Sequence, residues 1–255
     1  MRFKLIACEI LFREICHLAA KSPNRIDIEF LPKGLHDIGR PKMCAALQET
    51  LEKVDADEYD AVLLGYALCN GGVTGLSPKN KTPLVIPKAH DCITLFMGNR
   101  FLYEEYFQKH PGTYFKTTGW LERGESLVQT QGLTPGPNDD TPRIPDGKSG
   151  KMISFRQMVE RYGENNARYI WEQLIGMPHY KRMTFIEMGI EPNDQFEQLT
   201  RQQAEERNWE FDKIAGSLTL LDNLINGHWN DEDFLVVQPG EKIEFDYTGQ
   251  IIRAV

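Results

Sequence analysis

The sequence predicts an α/β protein: a mostly parallel sheet with flanking helices, Rossmann-like in plan, built as one large domain or as two α/β lobes. Three observations predict it. Apolar runs of strand length alternate with stretches of helical periodicity through the first 120 residues. Two of those runs, "YDAVLLGYALC" and "TPLVIPKAHDC", are apolar without alternation, as expected of strands buried on both faces. The alternation then resumes after a segment dense in proline and glycine.

Taken in order, "FKLIAC" has a strand's length and composition. "EILFREICHLAAK" places Ile10, Leu11, Ile15 and Leu18 on one helical face. "RIDIEFLP" alternates and reads as a strand. Pro41 suits the first turn of a helix over 41–54. The two buried runs follow as the third and fourth strands. A helix over roughly 93–109 comes next, and "GTYFKTTGW" is the fifth strand. Residues 132–151 hold four prolines and four glycines, which suppress regular pairing and predict a linker or lid. Beyond it, "SFRQMVERYGENNARYIWEQLIG" is helical with a break near Gly163. "RMTFIEMG" and "WEFDKIAG" are strands flanking the polar helix "DQFEQLTRQQAEERN". "LTLLDNLING" is a helix, and "DFLVVQPGEKIEF" closes with one or two strands. The expected organisation is an N-terminal lobe over 1–131, the linker or lid over 132–151 and a second lobe over 152–255.

Composition narrows the function. Apolar residues at 41% permit a packed core, and a net charge of −8 argues against nucleic acid or an anionic membrane as the main partner. No run of 18 apolar residues exists to span a bilayer. The opening "MRFKLIACEILFREIC" carries Glu9, Arg13 and Glu14 inside its apolar run, so it reads as a strand and helix and not as a signal peptide. The expected location is the cytoplasm, where five cysteines are thiols or metal ligands sooner than disulfides.

In open parallel sheets ligands bind beyond the carboxyl ends of the strands. The first strand ends in Cys8-Glu9. The second leads to His36-Asp37. The third ends in Cys69 and Asn70-Gly71-Gly72, the fourth in His90-Asp91-Cys92, and the fifth in Thr117 to Trp120. Cys16 and Cys44 fall inside helices and are expected to be packing residues. A parallel sheet would therefore gather Cys8, Cys69 and Cys92 as metal ligands, with His90 or His36 as fourth ligand or acid/base and Asp91 or Asp37 orienting a histidine. Zinc suits such a sulfur and nitrogen set, and an iron–sulfur cluster with one free iron is the alternative. The competing explanation is that cysteines serve as small buried hydrophobes. Asp91 is equally well explained as the cap of a helix that starts at Cys92 or Ile93, and that helix start would lower the Cys92 pKa. Gly71 and Gly72 in "CNGGVTG" could cradle an anion, but a plain turn is the commoner use. Ser217, between strand and helix, is another anion seat or a cap. Glu187 faces a cleft or is a solvated carboxylate.

The motifs "IACEILFRE", "GLHDIG", "LLGYALCNGG", "VIPKAHDCITLFMG" and "PGTYFKTTGW" together resemble the family catalogued as domain of unknown function 1638, over about Lys4 to Trp120. The resemblance leads one to expect glycine at the position of Ala67. The resemblance implies a setting, beside corrinoid-dependent methyltransferase systems in one-carbon metabolism, but no reaction and no ligand set. Two classes of function follow. One is a metal-dependent enzyme, a zinc-thiolate methyltransferase acting on a small molecule with a corrinoid carried by a partner protein. The other is a non-catalytic metal carrier, cofactor-handling accessory or small-molecule sensor.

Overall fold

The computed structural model describes residues 1–78, 81–123, 143–145, 152–154, 159–160, 163–164 and 180–255. Strand β1 (Arg2–Cys8) turns through a short 3-10 segment into helix α1 (Phe12–Ala19), followed by β2 (Arg25–Leu31) and α2 (Arg40–Glu52). Next come β3 (Ala61–Gly65), β4 (Leu84–Pro87), α3 (Cys92–Met97), α4 (Arg100–Lys109), β5 (Thr113–Lys116) and α5 (Thr118–Glu122). A small antiparallel pair, β6 (Arg143–Pro145) and β7 (Met152–Ser154), precedes β8 (Arg182–Glu187), α6 (Gln195–Glu206), β9 (Glu210–Ala215) and α7 (Thr219–Asn226). The chain ends in β10 (Phe234–Val237), β11 (Ile243–Asp246) and β12 (Ile251–Ala254).

Two parallel sheets organise these elements. The first has the order β10-β4-β3-β1-β2, with only β10 antiparallel to its neighbour. The second has the order β5-β8-β9, all parallel. The expected α/β class and mostly parallel sheet are both present. Every residue of β3 and β4 is buried, which is why their sequences lack alternation. The alternating "RIDIEFL" forms β2, at the sheet edge with partial exposure along its length. Ile15 and Leu18 of α1 share one core with Leu220, Leu221, Leu224 and Ile225 of α7, and α7 also packs on β3 and β4. Truncating one such leucine to alanine costs about 2–5 kcal/mol.

Several expectations meet a different arrangement. The helix expected over 93–109 is two helices. Gly98, at φ 73°, ends α3, and the Asn99 side chain caps α4 by accepting from the N–H groups of Phe101 and Leu102. The run "TYFK" is a strand, but it belongs to the second sheet. Conversely, β10 returns to the first sheet, where it pairs antiparallel with the β4 edge. The chain thus crosses between the two sheets twice. The linker or lid over 132–151 lies outside the described residues except for β6, and the helix expected after it lies outside them except for a few positions. Among the described residues, no helix is long and apolar enough to cross a membrane.

Candidate functional site

The order β2-β1-β3-β4 reverses direction between β1 and β3, and that is where an open parallel sheet leaves a crevice at its carboxyl edge. A cavity of about 790 Å³ opens there. Cys8, Tyr66, Cys69, His90, Asp91 and Cys92 line it from the strand ends, and Tyr103, Phe107, Phe115, Trp120, Tyr180 and Phe245 supply an aromatic wall. The three cysteines expected to meet therefore share one cavity.

The loops that carry them are tied together by backbone. The Leu68 N–H donates to Ala89 O at 2.9 Å and the Cys69 N–H to His90 O at 3.0 Å. Cys69 adopts φ 44°, a left-handed conformation that costs a side-chain-bearing residue roughly 1–2 kcal/mol. The surrounding contacts hold it there. A side chain on Gly71 would come within 2.7 Å of the Phe245 ring, and one on Gly72 within 2.2 Å of Met43 Sδ. Their N–H groups donate to Leu68 O and Cys69 O. These glycines therefore serve a tight turn and close packing, and their amides are not turned to an anion.

The thiols are neutral as they stand. Burial pushes Cys8 up to about 12, with Cys69 and Glu9 adding to the rise and Lys33 opposing it. Burial pushes Cys69 to about 11, with Asp91 adding to the rise. Cys92 is raised well above the ordinary thiol value, first by burial and then by Cys69, Asp91 and Cys8. Cys69 and Cys92 keep part of their surface towards the cavity, but its walls are apolar enough for desolvation to dominate. The lowered Cys92 pKa expected from a helix N-terminus is thus overturned. The six-residue α3 offers less than burial beside two other thiols and a carboxylate takes away.

The remaining candidates separate. His90 is exposed at the cavity rim. Asp91 caps α3, accepting from Ile93 N at 3.0 Å and Thr94 N at 3.3 Å, and it also accepts from the Tyr103 hydroxyl. These bonds match the helix-cap role expected of Asp91. The side chains of His36 and Asp37 lie outside the described residues. Ser217 bonds Thr219 through its hydroxyl and gives its N–H to Phe96 O, away from the cavity lining. Glu187 is exposed and pairs with Lys213 at 3.2 Å. Cys44 donates to Thr74 O, and both Cys16 and Cys44 are half-buried helix residues, as expected. Among the described residues, no three His, Cys, Asp or Glu side chains stand close enough together to hold a metal ion without moving.

Two cavity residues were not anticipated. Tyr66 is 4% exposed, and its hydroxyl has no hydrogen-bond partner. Lys33, also 4% exposed, donates from Nζ to Trp120 O at 3.1 Å and lies 5.2 Å from the centre of the Trp120 ring. The available signal was their position immediately beyond the third and second strands. The burial that makes them notable comes from distant segments.

The profile of one family, described as "Protein of unknown function (DUF1638)", matches residues 30–225. That span includes Tyr66, Cys69, His90 and Cys92 and starts after Cys8. No curated protein and no solved structure matches the chain.

Proposed function

The chain belongs to the family of unknown function 1638, and from that premise, which carries no reaction, we propose a function on the chemistry of the site: a metal-dependent enzyme acting on a small molecule in the aromatic cavity. Cys8, Cys69 and Cys92 lose their protons to hold zinc or a similar borderline ion, and His90 at the rim is the fourth ligand or the acid/base. An ion held by thiolates is a Lewis acid that lowers the pKa of a bound thiol or water. The finer reading is methyl-group transfer to such a nucleophile, with the corrinoid carried by a partner protein.

The observation that carries the proposal is that thiols from three neighbouring strand ends line one cavity. The donor set fits a thiophilic ion in kind, since the single carboxylate among the described lining residues, Asp91, is engaged by backbone N–H groups. The cysteine side chains must rotate to close round an ion. Because all three thiols are raised, protons compete strongly, and metal affinity climbs steeply with pH. A second reading is an iron–sulfur cluster held by the same three thiolates with one iron left free.

Protein purified without air or chelator and assayed for zinc, iron and sulfide separates these readings. One zinc per chain supports the first, iron with sulfide the second, and no metal sinks both. Cys92→Ser should lower metal affinity by more than roughly 100-fold, beyond the effect of losing a supporting hydrogen bond. His90→Ala lowers affinity if the imidazole is a ligand. If it is the acid/base, metal stays and turnover falls ~10²–10⁴-fold.

A further inference from the structure

We infer that Tyr66 orients the molecule this cavity takes, donating a hydrogen bond from its buried hydroxyl to a carbonyl-type oxygen at the thiol end of an apolar, ring-sized ligand. This rests on taking the cavity as the substrate site, but not on the metal.

The first observation is the hydroxyl itself. Tyr66 is 4% exposed and lines the cavity, and its hydroxyl has no hydrogen-bond partner. In the unfolded chain that hydroxyl bonds water, so burying it unpaired is a net loss, and native structures rarely keep one without a use. A ligand that bonds it recovers the loss on binding. The hydroxyl stands at the thiol end of the cavity. Burial raises its pKa well above the ordinary phenol value, and Cys8, Cys69 and Glu9 are close enough to add to the rise. A phenol is protonated at neutral pH, and its oxygen lone pair is drawn into the ring, so it donates better than it accepts. The group it lacks is an acceptor.

The second observation is how firmly the ring is presented. A side chain on Gly65 would come within 2.6 Å of Ala7 Cβ, so β1 and β3 approach closely just before Tyr66. Ala67 and Leu68, which follow it, are buried, and the N–H groups of Leu68 and Cys69 donate to Ala89 O and His90 O beyond β4. The backbone on both sides of Tyr66 is therefore fixed, and a ligand gives up little to order the hydroxyl. The third observation concerns the body of the ligand. Tyr103, Phe107 and Phe115 line the cavity, with the Phe107 and Phe115 rings centred 6.0 Å and 6.1 Å from that of Tyr103. Such a cluster suits a flat apolar body by stacking and edge contacts, and a cavity of about 790 Å³ has room for one.

The test uses the full chain and three bicyclic probes of similar size, each titrated by calorimetry at neutral pH. 1-Indanone accepts a hydrogen bond through its carbonyl, indole donates one from its N–H, and indane does neither. Tyr66→Phe should weaken 1-indanone about tenfold, the worth of one buried hydrogen bond, and leave indole and indane within about twofold of wild type. Its melting temperature should be unchanged or raised, because an unpaired buried hydroxyl has been removed. Indane reports the shape of the cavity, so a purely structural role for Tyr66 would move all three probes together. The proposal is overturned if 1-indanone fails to bind at millimolar concentration, or if Tyr66→Phe binds it as wild type does. It is also overturned if the variant loses indole or indane as strongly as 1-indanone, or melts at a clearly lower temperature, since the hydroxyl would then serve the fold. Metal content measured on the same samples keeps the two readings apart. A 1-indanone affinity indifferent to Tyr66 in metal-bearing protein sinks this inference alone, and a Tyr66-dependent affinity in protein that purifies without metal sinks the metal centre alone.

Discussion

The two parallel sheets end very differently. At the carboxyl edge of the first, Cys8, Tyr66, Cys69 and Cys92 surround an aromatic cavity. At the corresponding edge of the second, β8 ends in exposed Glu187, which pairs with Lys213, and Lys213 in turn reaches Glu197 at 3.0 Å. β5 ends in half-buried Lys116, pushed down to about 8 by burial and by Arg207 and Lys33. Strand direction is therefore not enough to make a site. The first edge has thiols and an unpaired hydroxyl because α4, α5 and the C-terminal hairpin cover it. At β8 the second keeps water close, so Glu187 and Lys213 pair on the surface. Function lives in the residues and their cover, not in the fold-level rule.

The largest expected effect tests the joint between the sheets. A side chain on Gly119, in α5, would stand 1.7 Å from Ile10 O just beyond β1. Gly119→Ala should destabilise the protein by about 3 kcal/mol or more in denaturant unfolding, because backbone must shift. It should also shift the emission of neighbouring Trp120 in the cavity wall. A neutral Gly119→Ala would mean that the sheets are not tied there.

Next comes Glu14 of α1, fully buried with both carboxylate oxygens unpartnered. Burial raises it to about 7, Glu191 and Glu122 add to the rise, and Arg13, itself paired with Glu122 at 2.6 Å, opposes it. The folded state holds this proton after the unfolded chain has lost it near 4.5. Its contribution is complete below about pH 4.5 and disappears as pH rises through 7. Unfolding measured at pH 5 and pH 8 should show up to about 3 kcal/mol less stability at the higher pH from this group, and Glu14→Gln should flatten that slope. An unchanged slope would place the titration elsewhere.

A smaller effect belongs to the second edge. Lys213→Ala breaks two ion pairs, to exposed Glu187 and half-buried Glu197, and should change stability by about 1 kcal/mol. A larger loss would erase the contrast drawn between the edges. The smallest effect concerns the other cysteines. Cys16→Ser and Cys44→Ser should leave metal content unchanged, and a loss in either would show that the ligand set extends beyond the cavity.

Local pattern decided a good deal of this in advance. The continuous apolar runs marked β3 and β4 as buried strands, the alternating run marked β2 as a strand, and cysteines at strand ends marked the carboxyl edge as the place to look. Asp91 as a helix cap was also legible, because a cap and its helix are neighbours in sequence. So was the helical setting of Cys16 and Cys44, from the periodicity around them. Each of these depends on residues a few positions apart. Tertiary structure alone decided that β5 leaves the first sheet and β10 returns to it, since edge pairing depends on which apolar faces remain uncovered. It also decided the Cys92 pKa, the unpaired Tyr66 hydroxyl and the engaged Asp91 carboxylate. Desolvation and hydrogen-bond partnership are set by what closes over a group, and here the cover comes from Tyr103, Trp120 and Phe245, on segments that no local periodicity connects to the cysteines.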